Sequence, residues 1–496
     1  MPIVIFFFGW LHWYYAVITT VLLSVAFIWL YRSDYVADHE EIALPLKHFM
    51  GIMALIGFWV LMSGNCGFSA SLFDIPWRNV ILSDLINYSW PVYYDQSGYA
   101  LAYYIIFWML PALVGKVFGW GAALFALWLY QTCICATAVL LVANLIKANK
   151  TSTYWLTAIV FVLWSGLNVL GAMVMQMWGH NLYAFGLNGN EAYCDRFFNG
   201  ESVNFYYRSA TDCIEESYNQ ILVWLVVPLL LKKKRMHSFI FLDLLLLPFS
   251  PWAAIGLIPL MIVLGFKELS GYIRSDGGRT ALKKTVIAVF SPANVLALLG
   301  CLAVFGTYFL SGSHMSGAAS SGSTSSGSFG ILSVWSWTGE NWRAWLIFCL
   351  CEFGIFAALI ARKFKKDVLF WANVLWLAII PFIWMGTISG RDFCMNASLP
   401  GIFIMMIYML EYLIDRVQGK KLGLSNLLVI IVLTIAFASP VMQMCYQVQL
   451  MYANKSLSVQ GNSIDFTTFD GLPLSRCENF VCADPSRSFF FTYLAR

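Results

Sequence analysis

The first 31 residues contain no Asp, Glu, Lys or Arg, and long uncharged stretches of this kind recur along the whole chain. In lipid such a backbone can satisfy its own amide groups only as a helix, and about 20 apolar residues cross the hydrocarbon layer. The segments that qualify are 3–31, 49–66, 99–118, 121–146, 153–176, 285–310, 344–361, 368–388, 398–414 and 425–444. Shorter pieces lie at 219–231, 237–249 and 251–266. The expected fold is therefore an all-α, polytopic transmembrane bundle of about 12–13 segments. Only 11% of the residues are charged and 60% are hydrophobic, whereas a soluble chain is about a quarter charged, so a soluble fold is excluded. The net charge of +4 is too small to argue for a nucleic-acid partner. The N-terminal run exceeds a signal-peptide core and is read as a retained helix.

Lys and Arg are clustered, and clusters set topology. The runs are Lys232-Lys233-Lys234-Arg235, Lys283-Lys284, Arg362-Lys363 with Lys365-Lys366, and Lys420-Lys421. Positive-inside bias places all four in the cytoplasm, and the expected location is the plasma membrane, as a multi-pass protein. Segments between them then cross an even number of times. The piece 237–266 becomes a hairpin of two short helices broken by Pro248 and Pro251, the kind of interrupted element that lines a cavity. A transmembrane domain, 1–444, carries outside loops 67–98, 177–218 and 311–343, and 445–496 is an extracytoplasmic tail. The first half demands one irregular crossing, with the break expected at Pro111 or at Ser165-Gly166. Cys194 with Cys213, and Cys477 with Cys482, fall in outside segments, where each pair is either a disulfide or two thiols.

Loop 67–98 is the densest in candidate chemistry. Asp74 precedes Ile75-Pro76, as an N-cap precedes a first-turn proline. The short helix after it is amphipathic, with Asn79, Ser83 and Asn87 on one stripe, and is expected to lie on the outer membrane surface. Asp74 and Asp84 are then candidate general bases, and Arg78 and Asn79 candidate substrate contacts, the guanidinium matching phosphate geometry. The plain alternative is that Asp74 is only a cap with Arg78 as its i+4 partner. Arg391-Asp392 in a Gly turn is a second phosphate-binding candidate, with an exposed turn pair as its plain counterpart. His180 stands near a helix end ahead of acids at 191, 195, 201, 212, 215 and 216, at spacings that fit no metal signature. It is either an acid/base or headgroup-binding group, or an interfacial His with a local partner. Glu352 and Asp243 lie inside apolar runs, where ionisable groups are functional candidates; Glu352 either faces a cavity, binding a cation or relaying a proton, or makes a structural hydrogen bond to a neighbouring helix, and Asp243 is read as hydrated near the cytoplasmic end.

A surface helix carrying Asp in the first large outside loop, the Pro-broken YYIIFWMLPALVG, short Pro-broken helices and an outside C-terminus together resemble the GT-C superfamily of polytopic glycosyltransferases. The segments DIPWRNVILSDL with WPVYY, WSGLNVLG, SPWAAIGLIPL, GRDFCMNASLP and FFFTYLAR further resemble a group of bacterial multi-pass membrane proteins. The resemblance implies a polyprenyl-phosphate lipid donor and a glycan or lipid acceptor on the outer face. It implies Asp74 as general base, and Arg78 and Arg391 as holders of the donor phosphate. Where the superfamily often has a second outside acid, the matching turn here reads Ser165-Gly166-Leu167-Asn168, and Asn168 can bind a sugar but cannot take a proton. A divalent cation is compatible with this chemistry, though no ligand spacing indicates one.

Neither a Walker loop nor HExxH occurs, which argues against an ATP-driven pump and a zinc protease. Besides a non-catalytic membrane scaffold for envelope assembly, two functions stay open at this level. One is transfer of a sugar from the lipid donor to an envelope glycan, lipid or polymer. The other is a transporter or flippase that works through Glu352 and Asp243.

Overall fold

The computed structural model describes residues 1–34, 44–72, 74–148, 150–178, 198–199, 204–312, 330–331, 337–384, 391–418, 424–460 and 464–496. The helices of the first half are α1 (Pro2–Trp10), α2 (Trp13–Asp34), α3 (Leu46–Leu61), α4 (Ile75–Asn87), α5 (Met109–Phe118), α6 (Trp120–Leu145), α7 (Thr151–Leu163), α8 (Asn168–Met177), α9 (Ala210–Glu216) and α10 (Val223–Lys233). Next come α11 (Met236–Leu246), α12 (Pro251–Asp276), α13 (Gly278–Val289), α14 (Pro292–Ala297) and α15 (Ala303–Leu310). The last are α16 (Gly339–Cys349), α17 (Ile355–Phe364), α18 (Val368–Ile379), α19 (Arg391–Ala397), α20 (Leu399–Gln418) and α21 (Leu424–Asn454). Among the described residues, eight helices are long and apolar enough to span a membrane, and a bent pair, Ala210–Glu216 with Tyr218–Lys233, makes a ninth. Four further apolar helices are shorter. The protein is thus an all-α, multi-pass membrane bundle with fewer full-length spans than the hydropathy pattern suggests.

Several expectations need correction. The run 3–31 is two helices, with the break at Leu11-His12 tied down by the tail: His12 N donates to Leu494 O at 3.0 Å. The hairpin 237–266 is unequal, because α12 is 26 residues long and continues well past its expected end. Pro259 sits inside α12 without ending it. A helix break is found at the Ser165-Gly166 turn, where α7 stops at Leu163 and α8 restarts at Asn168, while Pro111 lies inside the short apolar helix Ile105–Phe118. Residues 204–218, assigned from sequence to an outside loop, instead run into the bundle, and all seven residues of α9 are buried. Cys477 and Cys482 are separate buried thiols, as is Cys213; Cys194 lies outside the described residues.

The basic ends of the helices gather at one end of the bundle. There Lys233 Nζ donates to Asp34 O at 2.5 Å and Lys232 Nζ to Asn144 Oδ1 at 2.9 Å. His237 meets the Asp34 carboxylate at 2.8 Å. At the opposite end the tail folds back over the first loop. Residues 69–71 pair in parallel with 458–460, and 100–101 pair antiparallel with 481–482. Aromatic rings complete the clamp: Trp77 lies 5.6 Å from Phe480 and 5.0 Å from Phe466, centroid to centroid. Hence α4 does not lie open on a surface but is roofed by the tail, with the Asn79, Ser83 and Asn87 stripe among its partly or fully exposed positions.

Asp84 is the latch of this roof. It is 1% exposed, and its Oδ2 accepts from Tyr94 OH at 2.8 Å and from Phe469 N at 3.1 Å. Burial pushes its carboxyl above the ordinary carboxylate range, against the two hydrogen bonds. A raised folded-state pKa contributes stability that is fully present below the unfolded value and is lost as pH rises through the folded one. We therefore expect Asp84→Asn, whose Oδ1 can accept both bonds without a charge, to keep or raise the melting temperature at neutral pH. The same variant should flatten the wild-type decline that sets in as pH rises above the ordinary carboxylate value. Asp84→Ala should cost about 2–3 kcal/mol, because it strands two buried donors. Thermal melts of the detergent-solubilised protein across pH check all three.

Candidate functional site

Arg78 is the centre of the loop-end site. It stands one turn into α4, and its side chain is 6% exposed while that of Asp74 is 60% exposed. Its Nη2 meets Asp74 Oδ2 at 3.3 Å. Its Nη1 donates to Asn219 Oδ1 at 3.3 Å and to Tyr103 OH at 3.4 Å, and the Tyr218 ring lies 6.0 Å from the guanidinium carbon. Burial opposes the charge, but Tyr103, Asp74, Tyr104 and Tyr218 together outweigh it and hold the guanidinium protonated. Its Nε is buried with no hydrogen-bond partner, and so is Asn79 Oδ1 on the same helix. Asp74 occupies the N-cap position, yet its side chain makes no cap bond. The carboxylate is engaged with Arg78 and otherwise faces solvent, so capping does not account for it.

Behind Arg78 stands a buried amide network. Asn219 Nδ2 donates to Phe249 O at 3.5 Å, Ser250 Oγ to Gln220 Oε1 at 2.7 Å, and Gln220 Nε2 to Asn396 Oδ1 at 2.9 Å. Ser250 also caps α12 by accepting from Ala253 N. The segments SPWAAIGLIPL and GRDFCMNASLP meet here as well. A Cβ at Gly256 would collide with the Ala397 carbonyl, so only glycine lets α12 and α19 approach this closely. Asp84 faces the tail rather than Asp74, and its hydrogen bonds are structural ones.

Sequence reasoning missed a second polar group, inside the bundle. Arg208 Nη1 lies 2.7 Å from Asp212 Oδ2 and 2.8 Å from Glu216 Oε2. Tyr206 OH also donates to Asp212 Oδ2. Both Arg208 and Asp212 are essentially inaccessible. The only signal for this was the i, i+4, i+8 spacing of Arg208, Asp212 and Glu216, which the polar composition of the region disguised as a loop; in the structure Asp212 and Glu216 lie on α9 and Arg208 stands just ahead of its N-cap, Ser209. A small cavity beside Arg208 and Ser209 is lined by Trp164, Trp224, Phe403 and Met406.

Glu352 and Asn168 come together at the broken crossing. A Cβ at Gly166 would strike both Glu352 Oε2 and Asn168 Oδ1. Glu352 is 4% exposed and sits in a π-helical turn, Leu350–Gly354. Asn168 Nδ2 donates to Ser165 Oγ at 2.9 Å. Asp243 is half-buried, and its Oδ1 is a buried atom that no described hydrogen bond reaches. Arg391 and Asp392 begin α19, but their side chains lie outside the described residues, as does His180 entirely. Among the described residues no cluster of His, Cys, Asp and Glu could hold a metal ion.

Compared with protein-family models, with curated proteins and with solved structures, the chain matches none. The chemistry of the two sites therefore rests on their geometry alone. For the inner group it makes a sharp statement about stability. Removing one partner of a buried ion cluster strands the remaining charges at a cost of about 3–5 kcal/mol. Arg208→Gln should therefore lose most folded protein, seen as a collapsed monodisperse peak in size-exclusion chromatography, while Arg78→Gln, at the rim, should not.

Proposed function

We propose that this protein is a membrane glycosyltransferase that moves a sugar from a polyprenyl-phosphate donor to a hydroxyl of an envelope glycan, lipid or polymer. The observation that carries the reading is the Asp74–Arg78 pair: an exposed carboxylate held against a buried guanidinium at the rim of an apolar bundle. Asp74 accepts the proton of the acceptor hydroxyl. The hydroxyl oxygen then bonds to the anomeric carbon, the bond from that carbon to the phosphate oxygen breaks, and the polyprenyl phosphate departs with the electron pair. Negative charge on that phosphate grows as the bond breaks, so a fixed cation favours the transition state over the ground state. Arg78 supplies it, with Arg391 as the second candidate.

A second reading, transport of a lipid-linked or small polar substrate, draws on Glu352 and the Arg208 group inside the bundle. The two separate by mutation. Asp74→Asn should reduce transfer of labelled sugar from a synthetic polyprenyl-phosphate sugar by at least about 100-fold, with an unchanged melting temperature. Glu352→Gln should leave turnover within about threefold. If Asp74→Asn retains full turnover, or if no sugar is transferred while the lipid is flipped, the glycosyltransferase reading fails.

A further inference from the structure

The helices at the basic end are longer than a bilayer requires. The run Gly278–Leu310 has 33 residues, about 50 Å of helix, against a hydrocarbon layer of about 30 Å. Several contacts fix where the excess lies. Met236 N donates to Glu268 Oε2 at 2.7 Å, and Ser291 Oγ donates to His237 O at 2.6 Å. Lys267 lies 3.6 Å from Asp367. Glu268 on α12 and Ser291 ahead of α14 therefore stand level with the basic ends of α10 and α11. The chain between Glu268 and Ser291 is a two-helix hairpin, made of the last turns of α12 and all of α13. It reaches roughly 12–18 Å past that level, which covers the headgroup layer of one leaflet.

The surface of this hairpin is mixed in a particular way. Arg274, Arg279, Lys283 and Lys284 are exposed. Of these, Lys284 is paired with Asp276 at 2.7 Å. Among the same residues, Leu282 is 61%, Ile287 61% and Phe290 66% exposed. On a 3.6-residue helix Arg279, Leu282, Lys283, Val286 and Phe290 share one broad face. A face that alternates cations with large apolar side chains is wrong for bulk water and wrong for hydrocarbon. It suits the boundary, where apolar side chains enter the acyl region and Lys or Arg reach headgroup phosphates.

We infer that the α12–α13 hairpin is a binding site for anionic phospholipid headgroups in the leaflet at the basic end. Arg274, Arg279 and Lys283 hold the phosphates, and Leu282, Ile287 and Phe290 seat among the upper acyl carbons. Charge complementarity selects the occupant: cations near an anionic surface each add attraction, whereas a zwitterionic lipid offers no net charge to them. The inference does not depend on what the loop-end site does.

The test is hydrogen–deuterium exchange of peptides covering 269–290 in the full-length protein. The protein is reconstituted in vesicles of phosphatidylcholine alone or of phosphatidylcholine with phosphatidylglycerol. Exchange should be at least about threefold slower with the anionic lipid, and high salt should remove the difference. The variant Arg274→Gln/Arg279→Gln/Lys283→Gln should exchange equally in both vesicles, while Lys365→Gln/Lys366→Gln, outside the hairpin, should behave as wild type. Equal exchange of the wild type in both lipids, the result for a surface that docks a soluble protein, would overturn the inference. So would a lipid difference that survives the triple substitution.

Discussion

Everything in the interior of this bundle depends on one constraint: a helix interrupted in lipid must find partners for the backbone groups it frees. Three interruptions occur close together, and each supplies what another lacks. The gap between α7 and α8 offers the Trp164 carbonyl, which accepts from Ala210 N at 2.9 Å, the first residue of α9. It also offers Leu167 N, which donates at 2.8 Å to Cys351 O in the π-helical turn. Thr211 Oγ1 donates to Val162 O at 3.2 Å and accepts from Trp59 Nε1 at 3.1 Å. Irregular backbone is tolerated here because it is stitched to other irregular backbone, and polar side chains such as Glu352, Asn168 and Asp212 are brought in with it.

Much of this was legible in the sequence, for identifiable reasons. Apolar length pointed to the all-α membrane bundle because nothing else in a helical chain satisfies a backbone in lipid. Ser165-Gly166 was one of two break positions legible in the sequence, beside Pro111, because glycine and proline punctuate helices; the structure adds that a Cβ at Gly166 would strike Glu352 and Asn168. The Asp74–Arg78 pair was legible from i+4 spacing. Two things were not. The reach of α12 to Asp276 was hidden because the apolar run ends at Phe266, where Lys267 and Glu268 begin a polar stretch. In α12 the buried packing of Ala253, Gly256 and Leu257 overrides Pro259. The burial of α9 was hidden because charge in a sequence reads as solvent, and only a partner such as Arg208 reveals that the acids are inside.

The Asp84 site shows the same limit from the other side. Sequence offered two aspartates in one short stretch and no means of ranking them. The distinction is made by the tail, which delivers Phe469 N to Asp84 across 385 positions of chain and leaves Asp74 open. One carboxylate becomes structural and the other stays accessible because of a contact that no local pattern encodes.

The loop-end site and the inner charged group are joined by a single short piece of chain. Residues 206–216 carry the Arg208 group, and after a bend of 110° the next helix begins with Tyr218 and Asn219, which lie against Arg78. The Ile214 carbonyl in between accepts from Asn65 Nδ2 at 2.8 Å, and Asn65 is in turn bridged to Gln131 on α6. The guanidinium at the rim is thus not held by a flexible loop. Two of its partners, Tyr218 and Asn219, project from a helix that follows directly on the buried ion cluster. A cation that must stabilise charge developing on a substrate works best when it need not reorganise. The inner cluster contributes little net stability as an ion group in itself, but it fixes the chain that leads directly into Tyr218 and Asn219.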